Sequence, residues 1–228
     1  MPVFEILEVL VLSYLIGAIP FGWIIVKIST GRNILSVESG RTGGTNAMRA
    51  AGLPAGLLTA LLDAGKGVLA VWVARWLSPD HMLFRDWLLV AASLMVIVGH
   101  NYSIYLLEYH KPTRRLRLRG GAGGAACFGG AMGLWAPIGL FILPLAAAVW
   151  FFVGYASVTT MSIALITILV FAYKAIQGSL PWQYIVYGVI AEVILVWALR
   201  PNLDRLRRGT ERMHGFRVWL KEQLGKYG

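Results

Sequence analysis

Residues 4–28 read FEILEVLVLSYLIGAIPFGWIIVKI, a nearly unbroken apolar run. A helix of about 20 apolar residues spans the hydrocarbon core of a bilayer, so this run is long enough to cross it once. Pro20 predicts a kink in that crossing, because proline removes one helical hydrogen bond. The run therefore predicts an integral membrane protein whose first span covers residues 4–28.

Composition extends this prediction to the whole chain. Of its 228 residues, 57% are hydrophobic and 14% are charged, whereas soluble domains carry about 25% charged residues. We predict a single all-α transmembrane domain over residues 1–228, with about seven helices. The later spans are expected at residues 51–77 and 87–107, in a short helix from Cys127, in a helix from a break near Pro137 to Phe152, and at residues 156–173 and 183–199. An alternative with five crossings makes the glycine run at residues 120–126 a re-entrant loop.

The net charge of +10 is unevenly distributed along the chain. Basic residues follow the first and third spans and fill the segment 200–228, and seven crossings put these three regions on one side. Because cytoplasmic loops are enriched in Lys and Arg, we predict an outside N-terminus and a cytoplasmic C-terminus. Arginines that flank apolar spans indicate contact with anionic lipid rather than nucleic acid. Segment 200–228 is predicted to be a basic amphipathic tail, with interfacial anchors at Phe216, Val218, Trp219 and Leu220.

A polar, glycine-rich segment separates the first two spans. It reads Ser39-Gly40-Arg41-Thr42-Gly43-Gly44-Thr45-Asn46 and is followed by Arg49. Glycines let backbone N–H groups approach an anion, while Ser, Thr and Arg side chains add further donors. The segment predicts a phosphate or carboxylate site at one membrane face. The alternative is a tight turn with an arginine that only sets orientation.

A second cluster follows the third span. It reads Gly120-Gly121-Ala122-Gly123-Gly124-Ala125-Ala126 and continues in small residues to Gly129. Consecutive small residues either form a backbone nest for a ligand or let two helices pack closely. The pair Gly99-His100 ends the third span at the same face, where the histidine is either a structural hydrogen-bonding residue or a general base.

Polar groups also lie at the start of the sixth helix and after the end of the seventh. The sequence Tyr155-Ala156-Ser157-Val158-Thr159-Thr160 begins the sixth helix, where hydroxyl groups either bind an anion or cap the helix. The segment from Asn202 to Glu211 is basic, and its one glutamate is placed to orient an arginine.

Asp63 and Lys66 lie three residues apart within the second span, and either pair with each other or serve a site directly. Glu192 in the seventh span has no evident partner.

In this order the motifs resemble those of the bacterial acyl-phosphate:glycerol-3-phosphate acyltransferase family, PlsY. The opening pattern is similar to Tyr14 through Gly22, and the family motif GSGNIGATN with a following Arg is matched by Ser39, Gly40, Gly43, Thr45, Asn46 and Arg49. The family patterns DxxKG, GH and NIxRLxxGTE are matched by Asp63, Lys66 and Gly67, by Gly99 and His100, and by Asn202, Arg205, Leu206, Gly209, Thr210 and Glu211. The serine-bearing motif is similar to Tyr155 through Thr160. The resemblance covers nearly the whole chain and identifies it as a divergent member.

The chain departs from the family pattern at four places. Ala122 replaces the phosphate-binding lysine of the family motif GGKGVAT, and Thr160 replaces a second serine. Leu199-Arg200-Pro201 stands where a histidine usually precedes the closing asparagine, and Arg41 replaces an asparagine. Arg41, Arg119 and Arg200 are candidates to supply the missing charge.

The resemblance implies an acyltransferase that moves an acyl group from an acyl phosphate to the 1-hydroxyl of glycerol 3-phosphate, giving lysophosphatidate for phospholipid synthesis. It implies a multi-pass protein of the bacterial inner membrane with a cytoplasmic site, and an enzyme that produces acyl phosphate as a further partner. The catalytic residues implied are Ser39, Arg49, Ser157 and His100. The substrate-binding residues implied are Gly40, Gly43, Thr45, Asn46, Gly120, Gly121, Gly123, Thr160, Asn202, Arg205 and Glu211. We expect no metal and no cofactor, and the sequence leaves the oligomeric state open.

Two other functions stay open at this point. One is a small membrane carrier or binding protein for a phosphorylated metabolite, which the missing lysine favours, although the chain lacks the internal repeat common in transporters. The other is a relative of the family with an altered acceptor, or one that only packs against a partner enzyme.

Overall fold

The computed structural model describes residues 2–79, 82, 84–110, 114–214, 216 and 218. Five of its helical stretches are long and apolar enough to cross a membrane: Val3–Thr30, Leu53–Leu77, Ala136–Val153, Ala156–Ile176 and Gln183–Arg207. The chain is therefore a mostly helical, multi-pass membrane protein. The predicted anchors Trp219 and Leu220 lie outside the described residues.

The first span consists of two helices, α1 (Pro2–Ala18) and α2 (Phe21–Thr30), and the break falls at the predicted position. Pro20 has no backbone N–H, so the helical ladder stops beside it. The backbone carbonyl of Ile19 instead accepts a hydrogen bond of 3.0 Å from Nζ of Lys66. The kink thus gives a buried lysine one of its partners.

The remaining helices follow the predicted order. Helix α3 (Gly44–Ala51) contains the end of the first glycine-rich motif, and α4 (Leu53–Leu77) forms the second predicted span. Helices α5 (Arg85–Asn101) and α6 (Gly124–Leu134) correspond to the third and fourth spans and have 17 and 11 residues. After a short 3-10 turn at Pro137 come α7 (Gly139–Ala148), α8 (Ala156–Ile176) and α9 (Gln183–Arg207).

The third span is shorter than predicted, and a β-hairpin replaces its end. Helix α5 stops at Asn101, and strand β1 (Ser103–His110) pairs antiparallel with β2 (Arg115–Arg119). The prediction of a span to residue 107 was wrong because residues 103–107 are apolar enough to continue a helix. Their side chains instead alternate across a strand. The register puts apolar residues on one face of the hairpin and three arginines of β2 on the other: Leu107, Tyr109, Leu116 and Leu118 against Arg115, Arg117 and Arg119.

Helix α9 is longer than the seventh predicted span. It continues through Pro201 to Arg207, so its last two turns are a polar helix at the membrane face. Asn202 and Arg205 lie on this extension, and the segment predicted as a tail from residue 200 begins eight residues later. Hydrophobicity ends at Leu199, which is why the helix could not be followed further from the sequence.

Glycines let α4 and α6 pack at very short distance. A methyl group added at Gly129 of α6 would overlap the backbone carbonyl of Ala64, and one added at Gly67 of α4 would lie 2.6 Å from the backbone nitrogen of Gly130. Small residues at helix interfaces allow such backbone contact in membranes. The start of α6 therefore lies beside the middle of α4, and residues of both helices line the candidate site.

We expect Gly129→Ala to lower stability by about 1–3 kcal/mol, because the added methyl group pushes α4 and α6 apart. Gly65→Ala on α4 is the matched control, since nothing lies within 4 Å of the position that its methyl group would occupy. Thermal unfolding in detergent should show a lower Tm for Gly129→Ala and an unchanged or higher Tm for Gly65→Ala. Equal Tm values for both variants would contradict the close packing.

Candidate active site

Three helix N-termini meet at a cavity of about 440 Å³. Its wall includes the first residues of α3, α6 and α8, among them Gly44, Gly124 and Ser157. None of the three helices has a side chain that caps its N-terminus. Helix N-termini carry partial positive charge and exposed N–H groups, so three of them around one space form an environment suited to anions.

Asn46 holds the first glycine-rich segment in place. Its side-chain nitrogen donates hydrogen bonds to the backbone carbonyls of Ile34, Val37 and Arg41, at 3.3, 3.0 and 2.8 Å. The side chain is buried, and the amide oxygen has no partner among the described residues. Its nitrogen is thus engaged by the backbone, so the contribution of Asn46 to the cavity comes mainly through the shape of the loop.

Arg119 of β2 supports the same loop from the other side. Its guanidinium donates to the backbone carbonyl of Gly40 at 3.0 Å and forms a salt bridge of 3.1 Å with Glu108. Gly40 has a φ of 62°, a left-handed conformation that favours glycine. A side chain there would also collide with the Arg119 guanidinium. The hairpin and the first motif therefore form one unit.

Arg49 projects into the cavity and contacts a histidine from the C-terminal segment. One of its terminal nitrogens lies 3.2 Å from Nε2 of His214, and its Nε has no partner among the described residues. The His214 ring stacks on Trp150 with centroids 4.7 Å apart and planes 14° from parallel. Burial lowers the pKa of Arg49, but a guanidinium stays protonated near neutral pH. Arg49 is therefore a cation with donors still available for a ligand.

Burial lowers the pKa of His214, and the positive charges of Arg49 and Arg212 lower it further against the opposing effect of Glu211. His214 is thus neutral when folded near pH 7. The pKa of His214 in the folded state lies below its unfolded value of about 6.5. The contribution of the neutral ring to the free energy of unfolding is therefore full above that pH, and it is lost as the pH falls through the folded pKa. Between pH values of about 7 and 5, we expect the Tm of the wild type to fall more steeply than that of His214→Gln. An equal fall of the Tm with pH in the wild type and in His214→Gln would contradict the lowered pKa of His214.

Glu211 joins the C-terminal segment to α8 and α9. Its carboxylate accepts a hydrogen bond of 2.8 Å from the Ser157 hydroxyl and one of 3.1 Å from the Asn202 side-chain nitrogen. The segment is also fixed by a β-bridge between Tyr155 and Met213 and by the backbone bond from His214 to Gly154. The glutamate thus orients two side chains that line the cavity, rather than an arginine as the sequence suggested.

The second glycine cluster packs against His100. The backbone nitrogen of Gly121 donates to the His100 carbonyl at 2.9 Å, and a methyl group at Gly121 would overlap Nε2 of the ring. The two glycine-rich motifs are joined directly, because the Thr42 nitrogen donates to the Gly120 carbonyl at 3.2 Å. Gly123 has a φ of 91° at the start of α6, so a residue with a side chain would be strained there.

A buried polar triad lies beneath this cluster. Nζ of Lys66 is 2.8 Å from the Asp63 carboxylate and 2.8 Å from Nδ1 of His100, and that ring nitrogen lies 3.4 Å from the same carboxylate. All three side chains are buried, while Asp63 and His100 also line the cavity. The mutual pairing of Asp63 and Lys66 weighed from the sequence is therefore present, and it includes the histidine.

A second, wider cavity of about 860 Å³ adjoins the first and shares Ser39, Arg41 and Asn202 with it. Of the three arginines considered as replacements for the lysine missing at Ala122, Arg41 is the one that lines both cavities. Its guanidinium donates to the backbone carbonyl of Ala198. Arg119 is engaged by the loop, and Arg200 lies over the Trp197 ring at 3.1 Å.

All fifteen residues proposed from the sequence lie at these cavities. The first is lined by Ser39, Gly43, Thr45, Asn46, Arg49, His100, Gly123, Ser157, Thr160 and Asn202, the second adds Gly40, Gly120, Gly121 and Arg205, and Glu211 bonds to the lining residues. Sequence reasoning missed Trp150 and His214, which lie in segments without a motif, and Asn101, which directly follows the Gly99-His100 pair. Among the described residues, no group of three or more His, Cys, Asp or Glu side chains is placed to hold a metal ion.

Comparisons with known proteins agree with this architecture. The profile of the glycerol-3-phosphate acyltransferase family matches residues 7–209. A glycerol-3-phosphate acyltransferase of Rubrobacter xylanophilus is 36% identical over 213 residues, which is 93% of this chain and 96% of the relative. One of Thermus thermophilus is 34% identical over 209 residues, 92% of this chain and 95% of the relative.

A similar fold is found in a crystal structure of PlsY (YgiH), described as an integral membrane glycerol 3-phosphate acyltransferase in its glycerol 3-phosphate form. The TM-score is 0.76 at 24% sequence identity, over 94% of this chain and 98% of the other. A second structure of PlsY, in a lysophosphatidic acid form, gives a TM-score of 0.73 at 24% identity over 92% and 95% of the two chains. These likenesses establish the fold.

Proposed function

The chain belongs to the glycerol-3-phosphate acyltransferase family, and we propose that it moves an acyl group from an acyl phosphate to the 1-hydroxyl of glycerol 3-phosphate. The products are lysophosphatidate and inorganic phosphate. The observation that carries this proposal is the first cavity, where three uncapped helix N-termini and Arg49 surround one space. That space suits a phosphate, and both substrates contain one.

The apolar wall of the same cavity supports an acyl phosphate as the donor. Leu57 and Ile163 line it together with Leu53, and the leucines also lie on the exposed outer face of α4. In a membrane this face contacts lipid, so the cavity is bounded by polar groups at one end and by the acyl-chain region at the other. An amphiphile with a phosphate head and a hydrocarbon tail fits both ends at once.

Acyl transfer here requires positioning and charge stabilisation more than a dedicated nucleophile. The acceptor hydroxyl attacks the acyl carbonyl carbon, a C–O ester bond forms, and the bond between that carbon and the phosphate oxygen breaks. The hydroxyl proton goes to a phosphate oxygen or to His100. The burial of His100 behind Gly121, with Nδ1 held by Lys66, favours the phosphate as the proton acceptor.

The proposed roles follow from these positions. Arg49 neutralises charge on the phosphate that leaves the acyl donor, with Ser39 and Thr45 as hydroxyl donors. The backbone of Gly120, Gly121 and Gly123 surrounds the other phosphate. Ser157, Thr160 and Asn202 complete the wall, and Glu211 orients two of them. Arg41 is proposed to take over the charge lost at Ala122, because it lies at the junction of the cavities.

We propose that the site faces the cytoplasm of a bacterial cell with the protein in the inner membrane. Counting α5 and α6 with the five long spans gives the seven crossings of this proposal, with the N-terminus on the outer side and the end of α9 on the cytoplasmic side. Exposed arginines such as Arg32, Arg114 and Arg207 lie at the site face, which supports this orientation. An enzyme that produces acyl phosphate is the proposed upstream partner.

The substrates are tested by exchanging one chemical group at a time. With palmitoyl phosphate as donor, glycerol 3-phosphate should be acylated, while glycerol should not, because it lacks the phosphate that the site holds. Palmitoyl-coenzyme A should be a poor donor, because its acyl group is bonded to sulfur and not to a phosphate. Acylation of glycerol at an equal rate would contradict the proposal. Uptake of glycerol 3-phosphate into proteoliposomes without acylation would show a carrier instead.

A further inference from the structure

We propose that the second cavity is a docking site for a free phosphomonoester, where glycerol 3-phosphate binds before it reaches the first cavity. This inference rests on the proposed function. The cavity lies between the β-hairpin and the polar end of α9. We call it the arginine cleft, because five arginines line it: Arg41, Arg117, Arg119, Arg200 and Arg205. Asp204 is the one acidic residue among its lining side chains.

Charge in the cleft is poorly balanced by the protein itself. Within the described chain, the guanidinium groups of Arg117 and Arg205 have no hydrogen-bonding or ionic partner, and Arg119 has Glu108. Burial lowers the pKa of Arg41, and the positive charge of Arg205 lowers it further. An anion with two negative charges would offset this repulsion, and arginine forks match the geometry of phosphate oxygens.

Asn101 supplies an independent indication of a ligand. Its side chain is 5% exposed, it lines the cleft, and neither its amide oxygen nor its amide nitrogen has a partner among the described residues. A buried polar group without a partner is destabilising, so such groups are normally matched by a bound molecule or water. An amide presents both a donor and an acceptor, which suits the hydroxyl groups of a glycerol phosphate.

The cleft leads directly to the reaction site. It shares Ser39, Arg41 and Asn202 with the first cavity, and Gly120 and Gly121 form part of its wall. Its lining is polar, whereas the first cavity has an apolar side suited to an acyl chain. A soluble acceptor and a lipid donor would therefore approach the same point from different sides, without competing for one entrance.

Charge reversal on the hairpin tests the proposal with a matched control. Arg117 and Arg115 lie two residues apart on the same face of β2, but only Arg117 lines the cleft. Arg117→Glu is expected to raise the KM for glycerol 3-phosphate about tenfold, because clefts of one charge concentrate an oppositely charged substrate. The kcat at saturating acceptor and the KM for palmitoyl phosphate should stay within twofold. Arg115→Glu should change none of these constants by more than twofold.

Asn101→Leu gives a second readout that a structural role would not produce. Removing an amide without partners should leave the Tm unchanged or higher, while the KM for glycerol 3-phosphate rises. A lower Tm with an unchanged KM would show that the amide serves the fold and would overturn its place in the site.

The remaining outcomes separate this inference from the proposed function. Equal KM values for glycerol 3-phosphate in Arg117→Glu and Arg115→Glu, in an active enzyme, would overturn the docking site and leave the acyltransferase proposal intact. An unchanged KM with weaker product inhibition by lysophosphatidate would show that the cleft holds the product headgroup, which also overturns it. An inactive wild-type protein would instead contradict the proposed acyltransferase function, on which this inference rests.

Discussion

Arg49→Ala is expected to lower kcat/KM for acyl transfer by about two to three orders of magnitude, the effect typical of removing one donor that stabilises developing charge. The guanidinium lies in the first cavity beside three helix N-termini, and its Nε has no partner among the described residues. Alanine removes the charge and all of its donors. It also removes the hydrogen bond to His214, which is neutral near pH 7, so no charge on that ring loses a partner.

The measurement is the initial rate of phosphate release from palmitoyl phosphate with glycerol 3-phosphate, on protein whose Tm shows that it is folded. Arg32→Ala is the control, because Arg32 is an exposed arginine at the same membrane face that lines neither cavity. Its activity should match the wild type. Arg49→Lys should recover part of the activity, since lysine keeps the charge but loses the fork of donors. Full activity in Arg49→Ala would remove Arg49 from the site.

Glu211→Ala is expected to lower kcat by about a hundredfold, the loss that a displacement of about 1 Å in a positioned group can produce. Alanine leaves the Ser157 hydroxyl and the Asn202 amide without their shared acceptor. It also removes one of the contacts that hold the C-terminal segment, in which His214 lies against Arg49. Since these side chains line the cavity, their displacement affects the reaction more than substrate binding.

Glu211→Gln is the matched comparison, because glutamine keeps the shape and one acceptor oxygen. It should retain several times more activity than Glu211→Ala with little change in Tm. Glu8→Ala serves as the control for removing a carboxylate, because Glu8 is exposed and lines neither cavity. A Glu211→Ala variant with normal kcat would contradict the positioning role.

The polar motifs could be placed from the sequence because their composition conflicts with a membrane environment. Glycines and hydroxyl side chains between apolar spans must line a protected space, and the residues from Ser39 to Arg49 do so. Pairing between Asp63 and Lys66, one of the two alternatives weighed from the sequence, follows from their spacing of one helical turn and is present, while Asp63 also lines the first cavity. These inferences needed only local spacing and the cost of polar groups in lipid.

The parts that could not be predicted depend on contacts between distant segments. Arg49 and His214 are 165 residues apart, and no local pattern links them. The hairpin was missed because the residues after Asn101 are apolar enough to extend a helix, and its pairing partner begins only at Arg115. The extension of α9 was missed because hydrophobicity ends where a polar helix continues past Pro201.

We propose that this chain is an acyl-phosphate-dependent acyltransferase despite the alanine at position 122. The most direct test is mass-spectrometric detection of lysophosphatidate from purified protein given palmitoyl phosphate and glycerol 3-phosphate, with phosphate release followed in parallel. We expect one lysophosphatidate per phosphate released, and a rate of lysophosphatidate formation by Arg49→Ala that is lower by about two to three orders of magnitude. Phosphate release without lysophosphatidate, or no turnover in folded wild-type protein, would contradict the claim.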